Sequence, residues 1–371
     1  MKNFLINGLN AKSGGGKSIL NNYLKILKKA SDENKYYVLT PYKNDYLQYQ
    51  SINIDIIDIP SFYKKQFLLP FTYIFVLKNI VKSLNIDSIF NLADIPIATK
   101  TYQVFLFDWP YAVYPKSAIW NLMSNKDFFT RKFKLYLFNY LLKYVDYFIV
   151  QTEVIEKRLI NFYNCSPISV IPNAITLESF SHKASFDFKL PSGKKILYLS
   201  YYYPHKNFEI FLKLGILIKQ RNLDFKIIIT IDRSQNKRAI KFLNKLDENG
   251  LNDIVVNIGP IDTKYISSLY SQVDGLLMPT LLETYGLPYI EAFHNNKPVF
   301  TSDIDFSHAV CGDAAKYFNP FDELDILEKL EISFSDENEI KKMQTQGQVQ
   351  LMNIMSWIDV FKKYQNLILK D

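Results

Sequence analysis

Two glutamates eight positions apart, Glu283 and Glu291, bracket the stretch with the most chemistry in this 371-residue chain. It runs Pro279-Thr-Leu-Leu-Glu283-Thr-Tyr285-Gly286-Leu287-Pro-Tyr-Ile-Glu291-Ala292. Gly286 permits a tight backbone turn, and Pro288 suits the first turn of a helix. The spacing predicts Glu283 on a loop and Glu291 about one turn inside that helix. Unpaired N–H groups at such a loop and helix start attract an anion, such as a phosphate or a sugar-phosphate oxygen. Carboxylates bind phosphate poorly but accept hydrogen bonds from hydroxyls well. A pair of them beside a phosphate therefore suits a sugar ring or a ribose. On spacing alone, a loop charge and a solvated helix residue account for the two glutamates equally well.

Three further segments carry chemistry. Ser200-Tyr-Tyr-Tyr-Pro204-His205-Lys206-Asn207 follows an apolar run, and Lys206 supplies a cation there. Ala11-Lys-Ser-Gly14-Gly15-Gly16-Lys17-Ser18 follows the first apolar run and opens a helical pattern. A glycine-rich turn of this kind lets a phosphate approach the backbone. It nearly spells a P-loop, with Ala11 at the first glycine position, so a nucleoside triphosphatase is the rival function. Against it, the turn has no convincing second acidic motif placed for magnesium, and the glutamate stretch has no role in that reading. Phe105-Leu-Phe-Asp108-Trp109-Pro110-Tyr111 ends another apolar run with a carboxylate.

The glutamate stretch resembles the signature of the family 4 glycosyltransferases, retaining enzymes of GT-B fold. That pattern runs Pro-Ser/Thr, then Glu-x-Phe/Tyr-Gly-Leu-Pro-x-x-Glu-Ala, then Gly/Asn-x-Pro-Val. Here Asn296-Lys297-Pro298-Val299, Gly312-Asp313-Ala314-Ala315 and Phe318-Asn319-Pro320 continue it, and Tyr270-Ser-Gln-Val-Asp274 leads into it. The resemblance covers most of the second half and, more loosely, the whole chain. It implies a nucleotide-sugar donor with its diphosphate near Lys206, Tyr285, Gly286 and Leu287, its ribose on Glu291 and its sugar on Glu283. It also places Gly15 and Gly16 at the donor, and Val170-Ile-Pro-Asn173 at the turn closing the first domain. Two departures stand out. The family's Arg, six residues before the Lys, is Ser200 here, and Lys194, Lys195 or His205 could compensate, or the helix N-terminus could suffice. The family's His near the end of the Phe105–Phe107 run is missing, leaving Asp108 as the candidate beside Glu283 for the catalytic centre. No metal or other cofactor is implied, in keeping with an expected lack of Asp-x-Asp in the candidate loops.

Short apolar runs alternate with helical patterns along the chain, which predicts parallel α/β units. The pattern restarts after a loosely patterned stretch at 179–193. We expect a GT-B architecture: Rossmann-like domains at 1–180 and 190–355 facing across a cleft, and a C-terminal helix in 356–371 returning to the first. The function expected is transfer of a hexose-type sugar to a glycan or polyprenyl-diphosphate-linked acceptor, in the building of a surface polysaccharide. A non-catalytic sugar-nucleotide-binding protein is a third alternative.

The net charge is +7. Up to Phe180 there are 21 Lys and Arg against 13 Asp and Glu, a net +8, so the first half holds the whole excess. Two aromatic-basic segments lie there, Phe128–Phe138 with Arg131, Lys132 and Lys134, and Phe62–Leu77 with Lys64 and Lys65. Such segments suit an anionic membrane surface, and nucleic acid is not the expected partner. No leader resembling a secretion signal opens the sequence, no apolar run nears the roughly 20 residues of a membrane span, and Cys165 and Cys311 form no metal or redox motif. The expected location is the cytoplasm, peripheral on the inner face of the plasma membrane.

Overall fold

Apolar runs without alternation are what a parallel sheet covered on both faces requires. Thirteen of them form strands in the computed structural model, which describes residues 1–12, 14–30, 33–174 and 185–369. The strands divide between two compact units. The first joins Met1–Pro115 and Ser124–Ala174 to Met355–Asp371; the second joins Lys116–Met123 to Ile175–Ile354.

In the first unit the strands are β1 Asn3–Asn7, β2 Lys35–Leu39, β3 Ile54–Ile57, β4 Ser88–Asn91, β5 Tyr102–Leu106, β6 Tyr147–Val150 and β7 Ile168–Val170. They form one parallel sheet in the order β3-β2-β1-β4-β5-β6-β7. In the second unit they are β8 Lys194–Tyr198, β9 Phe225–Ile229, β10 Val255–Asn257, β11 Gly275–Met278, β12 Val299–Ser302 and β13 Ala315–Phe318. Their order is β10-β9-β8-β11-β12-β13, again all parallel. Both units are Rossmann-like. In each, the chain order reverses at one place, between β1 and β4 and between β8 and β11. Ligands of open α/β sheets bind beyond the carboxyl ends of the strands at that reversal.

Successive residues of β1 serve opposite faces of the first sheet. Phe4 and Ile6 join a core with the Gly14–Leu27 helix, whereas Leu5 joins one with Leu77, Val81, Leu137 and Leu141. The reversal is braced by buried amides. Asn7 Nδ2 donates to Asn91 Oδ1 (3.0 Å), and Asn91 Nδ2 donates to Gln103 Oε1 (2.9 Å). The C-terminal Trp357–Ile368 helix belongs to the first unit. Its Trp357, Phe361, Tyr364 and Ile368 recur at helical spacing and are buried, with Phe361 5.1 Å from Tyr23 and Tyr364 5.1 Å from Phe90 between ring centroids.

The expected 179–193 stretch lies outside the described residues up to 184, and 185–193 form neither helix nor strand. Lys116–Met123, which falls inside the expected first domain, groups with the second unit. Among the described residues no helix is long and apolar enough to cross a membrane.

Candidate functional site

The two loops that leave the reversal of the second sheet are 199–207, after β8, and 279–286, after β11. They are stitched together through one carbonyl. Leu281 N donates to His205 O (2.7 Å), and Thr280 Oγ1 donates to the same oxygen (3.2 Å). Below them the buried Tyr198 hydroxyl donates to Lys206 O (2.7 Å). A 3-10 turn, Pro204–Lys206, ends at Asn207, whose φ of 54° reverses the chain and whose Nδ2 donates to Pro320 O (2.7 Å). Backbone ties at both ends of the turn therefore fix where the Lys206 side chain starts.

That side chain ends on a carboxylate. Lys206 Nζ donates to Glu283 Oε2, and both side chains are largely covered, at 14% and 19% exposure. Two residues 77 positions apart thus form one charge-balanced pair at the topological switch. Ser200 keeps its hydroxyl local, donating to Tyr201 O (3.0 Å), and brings no charge. The two lysines expected to substitute for the missing arginine are not placed to replace it. Lys194 and Lys195 begin β8, at the end of the strand away from the loop; Lys195 Nζ donates to Gly193 O (2.9 Å) and Lys194 lies over Phe334. His205 stacks on Tyr203, with ring centroids 5.7 Å apart.

Gly286 is set by geometry. Its φ is 86°, and a Cβ there would lie 2.6 Å from the Tyr289 ring, so any side chain both strains the backbone and displaces a buried aromatic. The Leu287–His294 helix follows at once, with Pro288 in its first turn. Tyr289 anchors it: its hydroxyl is 2.7 Å from Thr301 Oγ1. Tyr285 is buried beside it, and Leu287 is half-buried. Glu291 lies inside the helix, as the spacing predicts. Its Oε2 is buried and has no hydrogen-bond partner among the described residues, and burial pushes the carboxyl up to about 7.

A carboxyl in that state costs stability once it must ionise. Its folded pKa exceeds its ordinary value of 4.5, so the cost is absent below 4.5, grows between 4.5 and about 7, and is constant above. Glu291→Gln removes the charge and sacrifices no hydrogen bond of Oε2. The variant is expected to unfold at a higher temperature than the parent, with the gap opening between pH 4.5 and 7. Its limit is on the order of 3 kcal/mol. Thermal denaturation across that range checks it; a gap that does not change with pH would remove the buried charge from the account.

In the first unit the structure brings another pair together. The Gly14–Leu27 helix begins within the glycine run, Gly14 having φ 59°. A Cβ on Gly15 would sit 3.9 Å from Asp108 Oδ2, and one on Gly16 would sit 3.8 Å from Ala11 Cα. Both are ordinary contact distances, so in this run only the positive φ of Gly14 calls for glycine, and Gly15 lies beside the half-buried Asp108 carboxylate past β5. Ser13 of this turn lies outside the described residues. Lys17, which a P-loop would direct at phosphates, pairs with Asp45 (3.3 Å).

The sequence does hold an Asp-x-Asp, Asp303-Ile304-Asp305, directly after β12, against the expectation that the candidate loops have none. Asp303 Oδ1 lies 2.6 Å from His308 Nε2, and Asp305 opens the next helix. Among the described residues, no group of three or more His, Cys, Asp or Glu could hold a metal ion.

The geometry has relatives. Residues 182–350 match the family model described as glycosyl transferases group 1. The chain is 27% identical over 199 residues to the O-antigen chain mannosyltransferase RfbU of Salmonella typhimurium, a match covering 53% of each protein. It thus spans about half the length of that relative. Among solved structures, a glycosyltransferase from Rickettsia africae superposes with a TM-score of 0.73 at 18% identity, over 100% of this chain and 99% of the other. Anabaena Alr3699/HepE, solved with UDP and glucose, gives 0.73 at 13% identity over 100% of both chains. At these identities the structural likeness concerns the fold.

Proposed function

We propose that this chain, whose residues 182–350 match the family model described as glycosyl transferases group 1, transfers a hexose-type sugar from a nucleotide-sugar with retention of configuration and without a metal. The observation that carries this is the Lys206–Glu283 pair at the switch point of the second unit, beside the glycine-gated helix start. Lys206 and the N–H groups at Gly286 and Leu287 would hold the diphosphate, with Tyr285 behind them. Glu291, a buried acceptor without a partner, would receive the ribose hydroxyls, and Glu283 the hydroxyls of the sugar. The leaving diphosphate gains charge in the transition state, so a fixed cation and aligned N–H groups favour that state over the ground state. Gly15, Gly16 and Asp108 would serve the reacting sugar or the acceptor from the first unit. A thermal-shift screen over UDP-, GDP-, ADP- and dTDP-sugars tests it, because a ligand of the native state raises the melting temperature. One donor series should stabilise the protein, and stabilisation by ATP with magnesium alone would favour the rival.

The acceptor in this proposal is a glycan, carried on a polyprenyl diphosphate, in a polysaccharide such as O-antigen or capsule. The named activity of the Salmonella relative supports that class. The same proposal places the protein on an anionic membrane surface. In the Asn125–Leu141 helix, Phe129, Phe133, Tyr136 and Tyr140 form a stripe at spacings of 4, 3 and 4 and are all exposed. A helix that turns four aromatics outward is built to be covered. Lys134 is a poor part of that surface, being paired with Asp94 and lying 4.3 Å from the Trp109 ring centroid. Binding to anionic vesicles should fall with salt and fall further in a Phe129→Ser/Tyr136→Ser/Lys132→Glu variant. Co-sedimentation measures it, and wild-type indifference to anionic vesicles at low salt would end the membrane claim.

A further inference from the structure

The second unit has a cavity of about 230 Å³ on the 199–207 loop, lined by neither Lys206 nor Glu283, between the start of the Ile210–Gln220 helix, the Lys237–Glu248 helix and the short Ile119–Leu122 helix. Its apolar wall is Leu122, Tyr202 and Phe242. Three cations face it from one helix. Arg238, Lys241 and Lys245 are three and four residues apart, so they line one side of adjacent turns. Like charges at that spacing destabilise a helix unless an anion lies between them. Glu209 lines it too and keeps its negative charge while its Oε1 accepts from the Tyr202 hydroxyl, so three basic side chains line the space against one acidic one. Lys241 and Lys245 form no ion pair through their side chains among the described residues.

The cavity is fixed to the proposed donor loop. Tyr202 N donates to Gln235 Oε1 (2.9 Å), and Gln235 Nε2 donates back to Tyr202 O (3.1 Å). Asn236, the cap of the cationic helix, accepts from Ala239 N (2.9 Å). The wall and the cations are therefore held in register by the same stretch of chain. The space is large enough for several waters, or for one phosphate or carboxylate group.

We propose that this cavity is an anion subsite, taking a phosphate or carboxylate group of the glycan acceptor. It differs from the donor site in its residues, since neither Lys206 nor Glu283 lines it. The assignment to the acceptor rests on the transferase reading above; the binding of an anion does not.

Titration calorimetry at low salt on the full chain tests both parts separately, with inorganic pyrophosphate and glucuronate as probes. Pyrophosphate is titrated in a Lys206→Ala background, which weakens the donor site. Adding Lys241→Glu and Lys245→Glu, both at exposed positions, should weaken at least one probe about tenfold, as expected when charge-assisted hydrogen bonds are lost. Circular dichroism and the melting temperature should match the parent. The probe that loses affinity identifies the group, phosphate or carboxylate. If both probes bind the charge-reversed protein as they bind its parent, the subsite is overturned. UDP and GDP binding is measured alongside: insensitivity to Lys206 would count against the donor reading while leaving the subsite standing.

Discussion

Glu283→Gln should reduce turnover about 100- to 1000-fold, the scale found when one oriented group at a transition state is removed. Its effect on binding should be opposite in kind. In the free protein Lys206 is held by the Glu283 carboxylate. Neutralising Glu283 releases that cation for the diphosphate, so the affinity for a nucleoside diphosphate should stay the same or rise. The melting temperature should move by a few degrees at most, because glutamine can still accept from Lys206. A loss in kcat without a loss in nucleotide affinity marks an interaction made with the reacting sugar. Steady-state kinetics and calorimetry read the two quantities. Turnover within a few-fold of wild type would remove Glu283 from the chemistry.

Lys206→Ala should instead weaken nucleotide-sugar binding by about 1.5–3 kcal/mol, roughly 10- to 150-fold in Kd, the range for a charge-assisted hydrogen bond. Ser200 brings no charge, and Lys194 and Lys195 lie at the far end of β8, so neither lysine substitutes. The substitution also leaves Glu283 half-buried without its cation. The double variant separates the two effects, and the pair should be non-additive because its members touch. Equal donor affinity in mutant and wild type would take Lys206 out of the site.

The parts of the fold that were legible in the sequence are those with strong local patterns. The central strands β1, β4, β8, β9 and β11 are mostly apolar runs. β7 and β13 carry a weaker signal. Ile168-Ser-Val and Ala315-Lys-Tyr-Phe are short and lie at sheet edges, where half-burial leaves mixed composition. The helix position of Glu291 and the turn at Gly286 follow from local rules and were legible. The pairing of Lys206 with Glu283 was not, since it is created by the β8–β11 adjacency. Nor was the shared His205 carbonyl, because a backbone atom leaves no trace in residue type. The supposed substitutes Lys194 and Lys195 show the converse error. Nearness in sequence misled, because a strand of five residues carries its two ends to opposite sides of the sheet. The cations of the Lys237–Glu248 helix look in sequence like any solvated face, and only the cavity beside them gives them a common target.

The central claim is that the loops after β8 and β11 hold a nucleotide-sugar while its glycosidic bond is exchanged. The direct measurement is release of nucleoside diphosphate from the best-stabilising sugar nucleotide, in the presence of a polyprenyl-diphosphate-linked glycan, with the new linkage read by NMR. The account predicts release that requires Glu283, slows with Lys206→Ala, survives chelation of divalent metal, and yields a linkage with the donor's anomeric configuration. Release unchanged by both substitutions, or an inverted linkage, would contradict it.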